Sequence, residues 1–260
     1  MSEKTYWAGK RAIVTAGAAG IGLSIAEALH KEGVKVWICD VAADKLAEAK
    51  VKLPGIEAVI CDVADPAAVD RFVADAVAGM GGLDFLINNA GIAGPAAPVE
   101  DISTEDWLRT MAINVNGQFF VARAAVPHLK KNGEGVIVCM ASVAGKYAFP
   151  LRSPYASSKA AVISFARGLS VELGPHKIRV NAIAPGVVSG ERIQRVFTDR
   201  AKTRGITYEE MEALALKAVS LKTMVDPEEI AELVKFLCAP TGRAITGQVL
   251  SICGGLEYTE

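Results

Sequence analysis

Short apolar segments alternate with longer helical segments along most of the chain, and this alternation restricts the fold more than any other feature of the sequence. Strands separated by helices of ten or more residues pair in parallel through right-handed crossovers, and continuously apolar strands indicate a sheet covered on both faces. We therefore predict an α/β fold, a single doubly wound domain with a mostly parallel, seven-stranded sheet. The predicted strands are Lys10–Thr15, Val34–Asp40, Glu57–Asp62, Leu83–Asn88, Gly135–Met140, Ile178–Ile183 and Gln248–Ile252.

The segments between these strands show the spacing of apolar residues that is typical of helices. The predicted helices are Ile21–Lys31, Ala43–Lys52, Pro66–Met80, Ser103 to about Lys131, Pro154 to about Leu173 and Pro227–Cys238. The chain has 260 residues and contains no Pro/Ser-rich linker, repeat or low-complexity run, so we expect one domain over residues 1–260. The polar stretch 191–222 is the least sheet-like part, and we expect it to form a lid over the substrate.

Composition excludes several classes of partner. The net charge is −1, and no stretch without Asp, Glu, Lys or Arg exceeds 15 residues, so we expect neither a nucleic acid nor a membrane as partner. The first ten residues have no apolar stretch after their charges, which predicts a cytoplasmic protein. The five cysteines are widely spaced and have no histidine at ligand spacing, so we interpret them as reduced core residues and predict no metal site.

The first predicted strand ends in a glycine-rich turn that opens into a helix, Thr15-Ala-Gly17-Ala-Ala-Gly20-Ile-Gly22. Such a turn lets a pyrophosphate approach the helix N-terminus, where free N–H groups and the helix dipole favour an anion. A tight turn that packs a helix on a sheet without any ligand is the alternative explanation. If a dinucleotide binds, as in a Rossmann-type fold, we expect Gly17, Gly20, Ile21 and Gly22 to contact it.

Asp40 closes the second strand 18 residues after Gly22, where a carboxylate can accept hydrogen bonds from the ribose hydroxyls. It would also repel a 2′-phosphate, by roughly 1 to 4 kcal/mol at a separation of about 4 Å. Val41 follows it, and no Arg or Lys stands in the glycine turn to reverse this bias. We therefore predict NAD rather than NADP as the cofactor. The alternative is that Asp40 is an ordinary solvated turn residue.

The second half of the chain carries a candidate proton-transfer group. Ser142 follows a predicted strand, and Lys159 lies four positions after Tyr155 on the next helix. Residues i and i+4 lie on one helix face, so the ammonium can stand near the phenol. A free tyrosine has a pKa near 10, and a nearby fixed cation favours the phenolate that proton exchange at neutral pH requires. The Tyr-x-x-x-Lys spacing alone is common by chance, so its context matters.

With these motifs in order, the chain resembles a short-chain dehydrogenase/reductase of the single-domain type over nearly its whole length. The matching motifs are the glycine turn Thr15 to Gly22, Asp62-Val63, Asn88-Asn89-Ala90-Gly91, Asn114 in Ile-Asn-Val-Asn-Gly, Ser142, Tyr155 with Lys159, and Pro185-Gly186. Seven motifs in the correct order are far more specific than any one of them.

The resemblance implies four catalytic residues. Tyr155 exchanges a proton with the substrate oxygen, and Lys159 makes that phenol more acidic and holds the nicotinamide ribose. Ser142 hydrogen-bonds the substrate oxygen, while Asn114 maintains a water path for the proton. This division is chemically reasonable, because the cofactor carries the hydride and the protein supplies orientation and a proton route.

The resemblance also assigns the remaining cofactor contacts and the assembly. Residues that border the adenine, line the cofactor or face the nicotinamide are Asp62, Val63, Asn89, Ala90, Gly91, Pro185, Gly186 and Val188. Family members are commonly tetramers that pack their long helices together, which predicts a homotetramer formed through the segments 114–131 and 155–173.

Three positions depart from the family pattern. Ala16 stands where a turn glycine is usual, so we expect the turn to avoid a positive φ there, with Gly17 compensating. Gly190 replaces a common threonine, which leaves Ser189 as a candidate substitute. Cys253 replaces an aspartate often found before the last Gly-Gly. These departures affect how the cofactor is bound and how the C-terminal segment packs, and they leave the residues for proton transfer unchanged.

Cationic residues flank the predicted catalytic loop. Lys146, Arg152 and Arg192, together with Ser142, are our candidate substrate contacts, and they favour a hydrophilic alcohol such as a sugar, polyol or hydroxy acid, including one that bears an anionic group. The alternative is that these cations are merely solvated or paired with nearby acids. Two other functions stay open: a 3-oxoacyl-carrier reductase, disfavoured by Asp40, and a non-catalytic NAD(H)-binding sensor or scaffold, disfavoured by the complete catalytic set.

Overall fold

The computed structural model describes residues 6–256, apart from the side chain of Thr203. The outermost residues of the predicted domain, 1–5 and 257–260, lie outside this range. Seven strands form one sheet in the order β3-β2-β1-β4-β5-β6-β7, and all six pairings are parallel, which confirms the predicted doubly wound α/β sheet. The strands are β1 Arg11–Thr15, β2 Lys35–Asp40, β3 Glu57–Ile60, β4 Phe85–Asn88, β5 Gly135–Met140, β6 Ile178–Pro185 and β7 Val249–Ile252.

Nine α-helices connect the strands within residues 6–256. They are α1 Gly20–Lys31, α2 Ala43–Lys52, α3 Pro66–Met80, α4 Thr104–Met111, α5 Gly117–Asn132, α6 Ser153–Leu173, α7 Glu191–Arg204, α8 Tyr208–Lys217 and α9 Pro227–Cys238. Short 3-10 turns occupy Val99–Asp101, Val143–Gly145, Gly174–His176 and Pro240–Gly242. None of these described helices combines the length and apolar character needed to cross a membrane.

The segment predicted as one helix from Ser103 to about Lys131 differs in detail. Ser103 caps α4 by accepting the N–H of Asp106, as its sequence position predicts. Residues Ala112–Asn116 then form a π-helical turn before α5 begins. Such turns are frequent at functional sites, and this one contains Asn114. Apolar periodicity does not reveal it, because the helix continues on both sides.

Helices cover both faces of the sheet. One buried cluster lies under α1, α2 and α9 and includes Ile25, Leu46 and Val234, while the other lies under α3, α5 and α6 and includes Phe72 and Val162. Burial of strand residues on both faces explains the unbroken apolar runs at residues 12–14 of β1, 85–87 of β4 and 135–140 of β5.

The stretch 191–222 has a small core of its own. It contains α7 and α8, joined through the buried residues Phe197, Ala201 and Met211. This core packs against Val187 and Met224, which flank the stretch on either side. The two helices therefore form a local unit next to the carboxyl end of β6.

Candidate active site and family

The strand order reverses between β1 and β4, so their carboxyl ends border the crevice in which doubly wound sheets bind ligands. Thr15, the last residue of β1, joins the two strands there. Its hydroxyl accepts the N–H groups of Asn89 and Ala90 at 2.9 and 3.0 Å. The Asn89 amide in turn donates to the carbonyl oxygens of Thr15 and Ala16. This use of Thr15 was not predicted, because it depends on two strands 74 residues apart in the chain.

The glycine turn leads into α1, which begins at Gly20. Ala19 occupies the N-cap position and makes no side-chain cap hydrogen bond, so no side chain occupies the helix N-terminus. Free N–H groups at such a position bind anions. Gly17, earlier in the turn, donates its N–H to the Cys39 carbonyl oxygen on β2. The turn is therefore fixed to the sheet and fits the pyrophosphate of a dinucleotide.

The conformation of Ala16 corrects one expectation. Its φ is +48°, whereas we expected the turn to avoid a positive φ at this residue. Gly17 does not take over that conformation. The left-handed conformation costs an L-residue roughly 1–2 kcal/mol. Here the hydrogen bond from Asn89 to the Ala16 carbonyl oxygen, 3.1 Å long, helps to hold the strained peptide in place.

Asp40 lies at the carboxyl end of β2, beside the glycine turn. One carboxylate oxygen accepts the N–H groups of Val41 and Ala42, and the other accepts the N–H of Ala18 at 3.3 Å. Asp40 is half-buried, and Val41 is exposed. These hydrogen bonds orient an acceptor group where Rossmann-type folds hold the adenosine ribose.

Asp62 and Val63 follow β3, the strand that pairs with β2. Asp62 is exposed, and its carboxylate accepts the N–H of Ala64 at 2.9 Å. Val63 is buried against the first residue of α5, Gly117, where a Cβ atom would lie only 2.7 Å from the Val63 side chain. Because β2 and β3 are parallel, Asp62 and Val63 follow the same carboxyl end of the sheet at which Asp40 lies.

Lys159 is buried beneath Tyr155 on α6. Its Nζ lies 5.8 Å from the centre of the Tyr155 ring and donates to the Met140 carbonyl oxygen at 2.8 Å. Burial, reinforced by the positive charge of Arg192, lowers the pKa of Lys159 to about 7, although Cys139 partly opposes this. A negative charge placed nearby, such as a phenolate, would favour the ammonium form.

Asn114 fixes the loop that follows β4. Its amide accepts the N–H of Ile92 at 2.7 Å and donates to the Ile92 carbonyl oxygen at 2.9 Å. It also donates to Ser158 Oγ, which donates to the Tyr155 carbonyl oxygen. A Cβ atom at Gly91 would lie 3.1 Å from Lys159 Nζ and 3.2 Å from Asn114 Oδ1, so both groups border this glycine.

Ser158 is a residue that sequence reasoning missed. It is fully buried and links the π-helical turn to α6. Its position three residues after Tyr155 gives a weak signal, since a serine in a helix often bonds back to the preceding turn. The bond from Asn114 becomes visible only in the tertiary structure.

Ser142 lies two residues after the end of β5, and its hydroxyl accepts the N–H of Ala144 at 3.2 Å. The 3-10 turn Val143–Gly145 then packs against α6. Ser142 is buried, with 8% of its surface exposed. The structure thus places Ser142 and Lys159 on two segments in direct contact.

Of the predicted cationic substrate contacts, Arg152 lies beside Tyr155. Its guanidinium carbon is 5.4 Å from the centre of the tyrosine ring. Arg192 is exposed in the first turn of α7, near enough to lower the pKa of Lys159. Lys146 is directed elsewhere, because its Nζ donates to Ser251 Oγ on β7 at 2.7 Å.

The segment after β6 carries the residues predicted to face the nicotinamide. Pro185 ends the strand, the Gly186 N–H donates to the Ile252 carbonyl oxygen, and Val188 pairs with Val225 in a short parallel bridge. The hydroxyl of Ser189, the suggested threonine substitute, donates to Asp226 Oδ1 at 2.6 Å. Gly190 has a φ of +124°, at which a threonine would be strained.

The cysteines of the described residues are free thiols. Cys39, Cys61, Cys139 and Cys238 are buried, and Cys253 is half-buried. Burial raises the pKa of the Cys139 and Cys238 thiols to about 12. Between residues 6 and 256, no group of three or more His, Cys, Asp or Glu side chains is placed to hold a metal ion.

Comparison with known proteins identifies the family. A family model described as "Enoyl-(Acyl carrier protein) reductase" matches residues 16–257. Human dehydrogenase/reductase SDR family member 4 is 31% identical over 259 residues, which cover 98% of this chain and 90% of the relative.

Two solved structures are similar over the whole fold. NAD⁺-bound xylitol dehydrogenase has a TM-score of 0.90 and 33% identity, covering 96% of this chain and 99% of that one. A variant of actinorhodin polyketide ketoreductase with NADPH has a TM-score of 0.92 and 31% identity, covering 100% of both chains. The chain belongs to the short-chain dehydrogenase/reductase family of oxidoreductases and is an enzyme of that family.

Proposed function

We propose that this enzyme interconverts a secondary alcohol and a ketone with NAD as the hydride carrier and Tyr155 as the acid/base. The observation that carries this proposal is the position of buried Lys159, 5.8 Å from the centre of the Tyr155 ring. No carboxylate among residues 6–256 pairs with this buried lysine, so its burial needs another reason. Stabilising a phenolate that forms during proton exchange supplies that reason.

Each of the four predicted catalytic residues has a distinct task in this proposal. Tyr155 donates its proton to the carbonyl oxygen in reduction and takes it back in oxidation, and Lys159 stabilises the resulting phenolate. Ser142 donates a hydrogen bond to the same substrate oxygen. Asn114 holds the Ile92 loop against α6 and keeps the proton path in place.

The nicotinamide cofactor, when bound, supplies or accepts the hydride. The residues that we propose to hold it run from the glycine turn to the segment after β6: Gly17, Gly20, Ile21, Gly22, Asp40, Asp62, Val63, Asn89, Ala90, Gly91, Tyr155, Lys159, Pro185, Gly186 and Val188. The N-terminus of α1, whose N-cap residue makes no side-chain hydrogen bond, supports the proposal that a pyrophosphate binds at the glycine turn.

Asp40 supports NAD over NADP, because its carboxylate is oriented at the end of β2 with no cation following it. We expect the wild-type enzyme to bind NADH at least about fivefold more tightly than NADPH, from a repulsion of about 1 to 4 kcal/mol. Replacing Asp40 with alanine should remove most of this difference. Titration of both reduced cofactors by fluorescence measures it, with Asp44→Ala on α2 as the charge-matched control. Equal or tighter NADPH binding by the wild type would contradict the NAD assignment.

We propose a hydrophilic substrate, a sugar, polyol or hydroxy acid, covered by α7 and α8 as a lid. The similarity to a xylitol dehydrogenase and the polar, charged surface of α7 support this class. The similarity to a polyketide ketoreductase favours a second candidate, reduction of a 3-oxoacyl thioester. A panel of polyols, hydroxy acids and 3-oxoacyl thioesters, followed by cofactor absorbance, separates the two. Turnover confined to thioesters or to bulky apolar alcohols would refute the hydrophilic-substrate proposal.

We further propose a cytoplasmic homotetramer. Phe119 on α5 and Val171 on α6 are 46% and 78% exposed, and Leu108 on α4 is 59% exposed. Exposed apolar side chains on the two long helices, α5 and α6, and on the neighbouring α4 are typical of an interface between copies. We expect a mass of about four chains in sedimentation equilibrium, and a shift toward smaller species for Phe119→Asp but not for Lys130→Asp. A wild-type monomer at micromolar concentration would refute the assembly.

A further inference from the structure

Arg152 stands immediately before α6, three residues ahead of Tyr155. Its guanidinium carbon lies 5.4 Å from the centre of the Tyr155 ring and 6.0 Å from that of Phe149. The residue is half-buried. A guanidinium therefore forms part of the wall next to the proposed acid/base, on the same helix terminus that positions the phenol.

The hydrogen bonds of this guanidinium are incomplete. Its Nη2 donates to the Ala93 carbonyl oxygen at 2.8 Å, whereas its Nε is shielded from solvent and has no partner among the described residues. Arginine carries five N–H donors in a fixed fork. A charged donor that is buried without a partner is costly, so natural proteins rarely keep one without a use.

The charge of Arg152 is also uncompensated. Within the described part of the chain, no carboxylate forms an ion pair with Arg152 or with Arg192. Burial, reinforced by the positive charges of Arg192 and Arg200, lowers the pKa of Arg152, although Tyr155 partly opposes this. Arg192 likewise acts on Lys159. Arg192 therefore lies within electrostatic range of both Arg152 and Lys159, in a protein whose net charge is −1.

A purely structural role accounts for part of these contacts. The bond to Ala93 ties the loop after β4 to α6, and the ring contacts with Phe149 and Tyr155 are cation–π interactions. Neither role explains the unpaired Nε, or why no carboxylate in the described part of the chain forms an ion pair with Arg152 or Arg192. A bound anion would satisfy both, and a guanidinium fork binds carboxylates through two parallel hydrogen bonds. A carboxylate is also the anion that the proposed hydroxy-acid substrates carry.

From these contacts we infer that the substrate carries a carboxylate, that Arg152 binds it, and that Arg192 on the lid adds to the positive field around it. This inference rests on the proposed alcohol–ketone chemistry and narrows its substrate class to short hydroxy and oxo acids. The carboxylate must lie only a few bonds from the reacting carbon, because Arg152 contacts the ring of the acid/base itself.

The first test uses the unaltered protein and needs no turnover. Butyrate and butyramide differ only in charge at the group that Arg152 would bind. We expect butyrate to raise the midpoint of thermal unfolding of the NADH-saturated enzyme, and butyramide at equal concentration to leave it unchanged. The same measurement without NADH shows whether the anion needs the cofactor. Equal effects of the two compounds would overturn the inference.

The second test compares acid and amide substrates, 3-hydroxybutyrate with 3-hydroxybutyramide and lactate with lactamide. We expect kcat/KM to favour at least one acid over its amide, and Arg152→Gln to reduce this preference by roughly 10- to 150-fold, the value of a charged hydrogen bond. The loss should appear mainly in KM for the acid, and Arg152→Lys should restore part of it. Arg195→Gln, an exposed arginine on α7, is the matched control and should keep the full preference.

The possible outcomes are distinct. A fall of equal size on acid and amide would assign Arg152 a structural role and overturn the inference. NAD-linked oxidation of neutral polyols without any preference for acids would overturn it too, while leaving the proposed function intact. Absence of turnover and of NADH binding would overturn the proposed function, and the butyrate comparison without cofactor would still decide whether the anion site exists. A weaker NADH affinity in Arg192→Gln would assign that arginine to a cofactor phosphate instead.

Discussion

Phenylalanine in place of Tyr155 is expected to lower kcat by roughly 10²- to 10⁴-fold, because the substitution removes the group that we propose exchanges a proton with the substrate oxygen. NADH affinity should change by less than about threefold, since the phenyl ring keeps the packing between Arg152 and Lys159. Single-turnover kinetics and a fluorescence titration of NADH separate the two effects.

Ser157→Ala is the matched control, because Ser157 is exposed on the same helix two residues further on. It should retain wild-type kinetics and stability. If Tyr155→Phe retained full turnover with the wild-type pH profile, the acid/base assignment would be wrong. If no substrate were turned over by the wild type and NADH still bound, the sensor or scaffold alternative would become the better account.

Methionine in place of Lys159 is expected to abolish measurable turnover and at the same time to stabilise the protein in mildly acidic solution. The pKa of Lys159 falls from 10.5 to about 7 on folding, chiefly through burial. Between these pH values the unfolded chain holds a proton that the native chain has released. The free energy of unfolding rises with pH wherever the unfolded state binds more protons than the native state. Below pH 7, Lys159 therefore lowers the free energy of unfolding by its full amount, and this loss shrinks as the pH approaches 10.5.

The size of this effect follows from the same shift. One unit of pKa corresponds to about 1.4 kcal/mol, so the free energy of unfolding of Lys159→Met at pH 6 should exceed that of the wild type by about 2–4 kcal/mol after some relaxation. The Met140 carbonyl oxygen loses the lysine but keeps the Gln118 side chain as a donor at 3.2 Å. Urea unfolding at pH 6 and pH 10 measures the difference, which should shrink at the higher pH.

Lys130→Met, at an exposed position on α5, is the control and should show no such pH-dependent gain. A Lys159→Met protein that is less stable than the wild type at pH 6 would contradict a neutralising burial of this lysine. Gain of stability with loss of activity is the signature of a charge retained for function rather than for folding.

The sheet and most helix limits are predictable from the sequence because their signals are local. Helices α2 and α3 begin and end at the residues that periodicity and the proline at the start of α3 indicate. The π-helical turn at Asn114 and the left-handed Ala16 are not predictable in this way. Both are held by hydrogen bonds with residues distant in the chain: Asn114 donates to Ser158 Oγ, and the Asn89 amide donates to the Ala16 carbonyl oxygen.

The candidate site shows the same division. Spacing alone places Tyr155 and Lys159 on one helix face, whereas spacing cannot distinguish Arg152 from Lys146, since both flank the same loop. The structure separates them: Lys146 bonds to Ser251 on β7, and Arg152 lies against Tyr155. Which cation can reach a substrate is therefore a question of packing and not of composition.

The sequence by itself determined the parallel sheet, its helical crossovers and the residue types available for proton transfer, because strand and helix periodicities and i, i+4 spacing are short-range properties of the chain. Only the tertiary structure decided which polar groups meet. The burial of Lys159, the links from Asn114 through Ser158 to Tyr155, and the unpaired Nε of Arg152 arise where strands and helices far apart in sequence pack together. Desolvation at those contacts, which no local pattern encodes, sets the charge and reactivity of the groups.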